Sequence, residues 1–257
     1  MAEPLLRTRA LGVEIGGQTV CRELDLVLQP GQSWAVLGRN GTGKTTLLHT
    51  LAGLRPAMAG TIELEGRPLA RLGRRDVARR LGLLTQESND LFPVRVLETV
   101  LIGRHPHLPP LAWEGDAELA MARRALADVG LEGLEQRDIR SLSGGERRRL
   151  SIATLLLQEP RIALLDEPAN HLDVAHLVGL LGLLRERTAG LGGVQMMVLH
   201  DVNLALRFCD HALLLFEDGT TASGPLDEVI DAATLARLYG HPLAAVDGPH
   251  GRAWLPA

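Results

Sequence analysis

The sequence predicts an α/β fold built on a parallel sheet, with a helical segment inserted into it. Three observations carry this. Unbroken apolar runs recur at Trp34–Leu37, Leu81–Leu84, Ile162–Leu165 and Val194–Leu199, the pattern of strands buried on both faces. Helical stretches separate them, which calls for right-handed crossovers. From about Glu87 to Leu157 no strand pattern is present.

The elements follow in order. Leu24–Leu28 (LDLVL) alternates at period two, as a half-buried strand does. Gln29-Pro30-Gly31-Gln32 reads as a turn. The strand Trp34–Leu37 runs directly into a glycine-rich stretch, and Thr45–Leu51 then reads as a helix. Inside the inserted segment, Asp116–Val129 is helical in pattern. Val202–Cys209 and Ala232–Tyr239 add helices near the C-terminus.

The chain has 257 residues, 46% of them hydrophobic and 23% charged, enough to bury a large core without disulfides or metals. A net charge of −4 argues against a general nucleic-acid binder, which is usually basic. The two cysteines, Cys21 and Cys209, lie far apart and read as buried thiols. The N-terminal MAEPLLRTRA holds no apolar signal core. The longest Leu-rich run, Leu177–Leu184, is far short of the ~20 residues that span a bilayer.

Gly38, Gly43, Lys44 and Thr45 match G-x-x-x-x-G-K-[ST], with a strand before and a helix after. The stretch Gly38-Arg39-Asn40-Gly41-Thr42-Gly43-Lys44-Thr45-Thr46 is therefore a candidate phosphate cradle. Small residues let backbone N–H groups close around phosphate oxygens, and the helix N-terminus adds its positive end. Lys44 would reach the β/γ-phosphates, and the Thr45 hydroxyl would face Mg²⁺. Of the 27 cationic side chains, Lys44 is the one lysine. A tight loop wants a compact ammonium, and the broad arginine fork is no substitute.

Ile162–Leu165 ends in Asp166-Glu167. Beside a phosphate loop, Asp166 can hold Mg²⁺ through water, and Glu167 can orient and activate a water against the γ-phosphate. Leu142-Ser143-Gly144-Gly145-Glu146 then resembles the signature motif of the ATP-binding-cassette (ABC) ATPases, and the resemblance extends over nearly the whole chain. It implies that family's fold: a P-loop NTPase core with an N-terminal antiparallel β subdomain and an inserted α-helical subdomain. The division expected is a core of residues 1–86 and 158–257 around a helical subdomain of about 87–157. It implies ATP and Mg²⁺ as cofactors, and head-to-tail pairing with a second ATPase subunit, a homodimer, in which Ser143, Gly144 and Gly145 face the partner's ATP.

Further residues fall on family positions. Gln86 follows Leu81–Leu84 and matches the Q-loop glutamine that contacts Mg²⁺ and the attacking water. Asn170-His171-Leu172-Asp173 matches the D-loop, placing Asp173 at the dimer interface. His200 follows Val194–Leu199 and matches the switch histidine at the γ-phosphate. Two positions depart from the pattern. Ile15 stands where an aromatic side chain usually stacks on adenine, which implies an aliphatic contact and weaker base discrimination. Ala169 stands where Thr or Ser is common.

Phe92-Pro93-Val94, the run Val96–His107, Leu199-His200-Asp201-Val202-Asn203-Leu204-Ala205 and the tail from Asp218 to Gly240 resemble the ATPase subunits of bacterial importers for iron-siderophores, haem and cobalamin. That resemblance implies a peripheral subunit on the cytoplasmic face of the inner membrane. Its permease would dock in a groove near Gln86–Phe92, and an external substrate-binding protein would take part indirectly. The alternatives are a soluble cassette ATPase of iron–sulfur cluster assembly and the ATPase of another ABC transporter. His105-Pro106-His107 reads as a turn rather than a metal pair. The basic runs Arg74–Arg80 and Arg147–Arg149 read as solvated helix faces.

Overall fold

The computed structural model describes residues 3–86, 92–109, 112–170, 172–248 and 251–257. β1 (Leu6–Ile15) pairs antiparallel with β2 (Gln18–Leu24) and, at its start, with β3 (Val27–Leu28). The single strand expected at Leu24–Leu28 is thus split. Between the two pieces, the Asp25 carboxylate accepts from the Ala10 N–H at 2.7 Å and the Thr8 hydroxyl accepts from the Leu26 N–H at 2.9 Å. Side-chain bonds replace the ladder there and interrupt the strand.

β4 (Ser33–Leu37) is buried along its whole length, and α1 (Lys44–Leu51) follows the glycine-rich loop. β5 (Ala59–Leu64) and β6 (Arg67–Pro68) complete the antiparallel sheet, in the order β2-β1-β5-β6 with β3 on β1. The short α2 (Arg74–Ala78) leads into β7 (Leu81–Leu84). Three helices come next: α3 (Val96–Leu101), α4 (Asp116–Asp128) and α5 (Gly144–Gln158). α5 carries the longest apolar stripe of this segment, with Leu150, Ile152, Ala153, Leu155 and Leu157 buried. Ala122, Ala125 and Leu126, at helical spacing, are the buried residues of α4.

The chain then alternates: β8 (Ile162–Leu165), α6 (Val174–Gly190), β9 (Val194–Val198), α7 (Val202–Phe208) and β10 (His211–Leu215). β11 (Thr221–Pro225), α8 (Leu226–Val229), α9 (Ala232–Tyr239) and a hairpin of β12 (Leu243–Gly248) and β13 (Gly251–Pro256) end it. The main sheet runs β11-β10-β4-β9-β8-β7, parallel throughout except for β11. The four apolar runs read from the sequence are its strands β4, β7, β8 and β9.

Period-two alternation sends each buried strand into two cores. Ala35 and Leu37 of β4, with Ala163 and Leu165 of β8, face the helices α3 to α7. Trp34 and Val36, with Ile162 and Leu164, face α1 and the antiparallel sheet. α1 is therefore clamped between two sheets. Leu47, Leu48 and Leu51 are fully buried there, worth roughly 1.5–3 kcal/mol each relative to exposure. The clamp fixes the N-terminus of α1 at the C-terminal edge of the main sheet, where α/β folds place their ligands.

Candidate active site

The phosphate loop leaves β4 at Gly38. A side chain there would bring its Cβ within 2.7 Å of the Leu215 carbonyl and 2.9 Å of the Thr42 hydroxyl. Gly43, the residue before α1, has φ +88°, and a Cβ on it would meet Val20 at 2.4 Å. Both positions need glycine: one for close approach, the other for that and a left-handed backbone. The first turn of α1 has no side-chain cap, so its N–H groups are available to an anion. Arg39, Asn40 and Gly41 are exposed at the loop's crest, and Thr42 and Thr46 are buried at its base.

Lys44 is 6% exposed, and its ammonium donates to the Gly38 and Arg39 carbonyls, each at 2.8 Å. Burial lowers its pKa, and the charges of Glu167 and Asp166 oppose that shift. Asp166, at the end of β8, is fully buried, and among the described residues neither carboxylate oxygen has a hydrogen-bond partner. Burial raises its pKa, and the adjacent Glu167 charge adds to the rise. The Thr45 hydroxyl beside it pulls the other way, although no hydrogen bond of normal geometry reaches the carboxylate. Buried, unpartnered carboxylate oxygens next to a hydroxyl are a hard-oxygen donor set, and they fit a divalent cation such as Mg²⁺.

Glu167 is the meeting point of the site. Its Oε1 lies 2.7 Å from His200 Nε2, and its Oε2 accepts from Gln86 Nε2 at 2.9 Å. The Asn170 amide also donates to Oε2. Glu167 holds a φ of +48°, a costly backbone for a residue with a Cβ, of the kind that clusters at functional sites. Gln86, Glu167 and His200 come from the ends of three adjacent strands, β7, β8 and β9, so the sheet itself brings them together.

Other expected residues lie elsewhere. Ser143 starts α5 in a capping box: it accepts from the Glu146 N–H at 3.2 Å, while the Glu146 carboxylate accepts from the Ser143 N–H at 2.7 Å. Ser143 and Gly144 are exposed and Gly145 is half-buried. Among the described residues, no hydrogen bond or ion pair joins them to this chain's own phosphate loop. Asp173 caps α6 and bonds the His176 ring at 2.7 Å. Ile15 is half-buried at the end of β1, packed on the core beneath α1. His171 and residues 87–91 lie outside the described residues.

The histidines of the His105-Pro106-His107 turn bond separate partners, Glu114 at 3.2 Å and the Gln158 carbonyl at 2.9 Å. One reading of the basic runs is overturned: Arg148 is 5% exposed and inside the site, because its guanidinium is taken up by backbone carbonyls. Arg75 and Arg79 are likewise engaged, both donating to the Pro106 carbonyl. Sequence reasoning missed Arg148 and the role of the Asn170 amide. Arg148 was visible in phase: Ile152 and Leu155, four and seven residues on, are buried on the same helix.

The family model described as ABC transporter matches residues 21–170. The chain belongs to the ABC transporter family. This ABC cassette is 38% identical to a hemin import ATP-binding protein of Jannaschia sp. (strain CCS1), over 97% of the chain and 92% of that protein. It is 37% identical to the ferric enterobactin transport ATP-binding protein of Escherichia coli (strain K12), over 95% and 90%. Among solved structures, it superposes with TM-score 0.85 and 26% identity on a chain from a transporter assigned to the metal-chelate ABC type, in an inward-facing conformation, covering 99% and 98% of the two chains. The ABC cassette is thus an ATP-binding ATPase subunit, with the α/β core, antiparallel β subdomain and helical insertion expected of it.

Proposed function

We propose that this cassette hydrolyses ATP to power a bacterial importer of an iron chelate, a siderophore or haem, with cobalamin as a more distant cargo. The observation that carries the reading is the convergence of Gln86, Asn170 and His200 on one carboxylate, Glu167, beside a fully formed phosphate loop. The hemin and ferric enterobactin relatives supply the cargo class.

The phosphate loop from Gly38 to Thr46 cradles the triphosphate, with Lys44 turning from the two loop carbonyls to the β/γ oxygens. Thr45, Asp166 and Gln86 would hold Mg²⁺, which when bound neutralises charge developing on the phosphates. Glu167 accepts a proton from the attacking water, and His200 holds the γ-phosphate. Ile15 lies against adenine. Ser143, Gly144 and Gly145 have exposed or half-exposed backbone at a helix start and no tie to their own chain's phosphate loop. They complete the site of a second copy, and Asp173 lies at that interface. Residues 1–86 with 158–257 act as the core and about 87–157 as the moving arm.

Among the described residues no helix is long and apolar enough to cross a membrane. On the importer reading, which the import ATP-binding relatives support, the cassette would sit peripherally on the cytoplasmic face of the inner membrane. A cleft of about 200 Å³ next to Thr85, which precedes Gln86, is lined by Leu83, Thr99, Ile102, Arg147 and Ser151 among others and suits a side chain projecting from a helix of the permease. The part of the expected groove in residues 87–91 lies outside the described residues. Ile102 is 51% exposed there. Ile102→Glu should abolish co-purification with the permease and cargo uptake, while the isolated cassette keeps its ATP turnover. Uptake at the parent rate in that variant would remove this cleft as the docking site.

A further inference from the structure

Arg148 is a buried guanidinium whose four hydrogen bonds all end on main-chain carbonyls. Nη1 donates to Thr85 at 2.5 Å. Nη2 donates to Asp166 at 2.6 Å and Glu167 at 2.7 Å, and Nε reaches Pro168 at 3.4 Å. Two of these carbonyls bracket Glu167: one belongs to the peptide that enters it and the other to the peptide that leaves it. The third, at Thr85, belongs to the peptide entering Gln86. One side chain therefore grips the main chain on both sides of the site's only positive-φ glutamate and just before the glutamine that bonds it.

The grip comes from a particular direction. Arg148 sits in the second turn of α5, the helix that starts at the capped Ser143 and the Gly144-Gly145 backbone. Among the described residues no carboxylate pairs with it directly. Burial pulls its pKa down to about 10, against the opposing charges of Asp166 and Glu167. A buried cation is costly unless its donors are satisfied, and here carbonyls take up four of the five N–H groups. A neutral side chain of similar volume would fill the same space at less cost, which packing alone does not explain.

We propose that Arg148 is a positioning residue for ATP hydrolysis: from the signature helix, it holds the main chain that carries Glu167 and Gln86 in the geometry their side chains need. The proposal rests on the hydrolytic role given to Glu167 above. Because α5 carries both the signature backbone and Arg148, a displacement of that helix reaches the hydrolytic carboxylate through one rigid side chain. The guanidinium's planar fork spreads five donors in one fixed geometry over these four carbonyls, where an ammonium offers three from a single point.

The test uses the full-length chain, with ATP turnover, nucleotide affinity by a fluorescent ATP analogue, and thermal unfolding measured together. Arg148→Met keeps the length and removes every donor. It should lower kcat about 100-fold, as misplacement of a catalytic group by about 1 Å does, with nucleotide affinity within about threefold of the parent. Arg148→Lys should fall between the two. In Glu167→Gln, adding Arg148→Met should slow turnover no further, because both changes act through the same carboxylate.

A kcat in Arg148→Met within about threefold of the parent would overturn the proposal. So would a loss of turnover matched by an equal loss of nucleotide-binding sites, or effects that multiply in the double variant. Where Arg148→Met does not fold, Arg148→Lys decides alone: a kcat loss of about tenfold at unchanged affinity supports the proposal, and parent-like turnover sinks it. Brisk hydrolysis by Glu167→Gln would instead strike the Glu167 assignment. An inert Glu167→Gln beside a parent-like Arg148→Met strikes Arg148 alone.

Discussion

Glu167→Gln is expected to lower ATP turnover about 1,000-fold while ATP affinity stays within about threefold, because the lost group acts on water rather than on nucleotide. The substitution is nearly isosteric. It keeps one oxygen to accept from Gln86 or Asn170, so the hydrogen-bonded cluster can survive. What it cannot keep is the basic oxygen 2.7 Å from His200. With hydrolysis blocked, an ATP-bound dimer should accumulate, visible as a doubling of mass in light scattering. The same variant with ADP should stay monomeric, since the γ-phosphate is what bridges the protomers. Brisk turnover would take Glu167 out of the role of base.

Lys44→Arg is expected to weaken ATP binding by at least about 30-fold, roughly 2 kcal/mol, at unchanged net charge. Lys44 is 6% exposed, and its ammonium is wedged 2.8 Å from two carbonyl oxygens of its own loop. Around it the loop cannot give way: Gly38 and Gly43 already stand closer to Leu215 and Val20 than a Cβ would allow. A guanidinium is wider and must be desolvated across a plane rather than at a point. The chain otherwise uses arginine for every cation, so the substitution conserves its own habit and changes only the shape. Isothermal titration with ATP decides it. Near-parent affinity would make the single lysine an accident of composition.

Most of the main sheet was legible because its buried strands are short apolar runs that end where chemistry begins. Trp34–Leu37 stops at a glycine, Ile162–Leu165 at two acids and Val194–Leu199 at a histidine. β10 was not legible. His211–Leu215 follows α7 after two residues, and its four-residue apolar run beside a helix cannot be told from the helix's continuation by periodicity. β11 carries too few apolar residues to announce itself: Thr221–Pro225 holds one alanine and a proline. In the C-terminal hairpin the apolar residues of Leu243–Gly248 and Gly251–Pro256 fall in short unbroken runs with no period-two alternation.

At the site, the sequence could place Gln86, Glu167 and His200 at strand ends, but not show that Gln86 and His200 both meet the Glu167 carboxylate. That depends on the register of β7, β8 and β9. The left-handed backbone at Glu167 has no sequence signature either, since glutamate is an unusual residue to hold it. Arg148 was hidden by its neighbours. Within Arg147-Arg148-Arg149 the charge pattern speaks for solvent, and only the helical phase with Ile152 and Leu155 points inward. Composition outvoted phase at a position where the buried partners are backbone carbonyls, which no sequence displays.

The central claim, an ATPase that drives a membrane permease, is met most directly by affinity capture of this chain from gently solubilised native membranes, with the co-purifying proteins identified by mass spectrometry. The account predicts a polytopic permease in stoichiometric amount, lost on Ile102→Glu and retained on Glu167→Gln. Recovery of soluble scaffold proteins alone, with no chain in the membrane fraction, would contradict it and leave a cytosolic assembly ATPase.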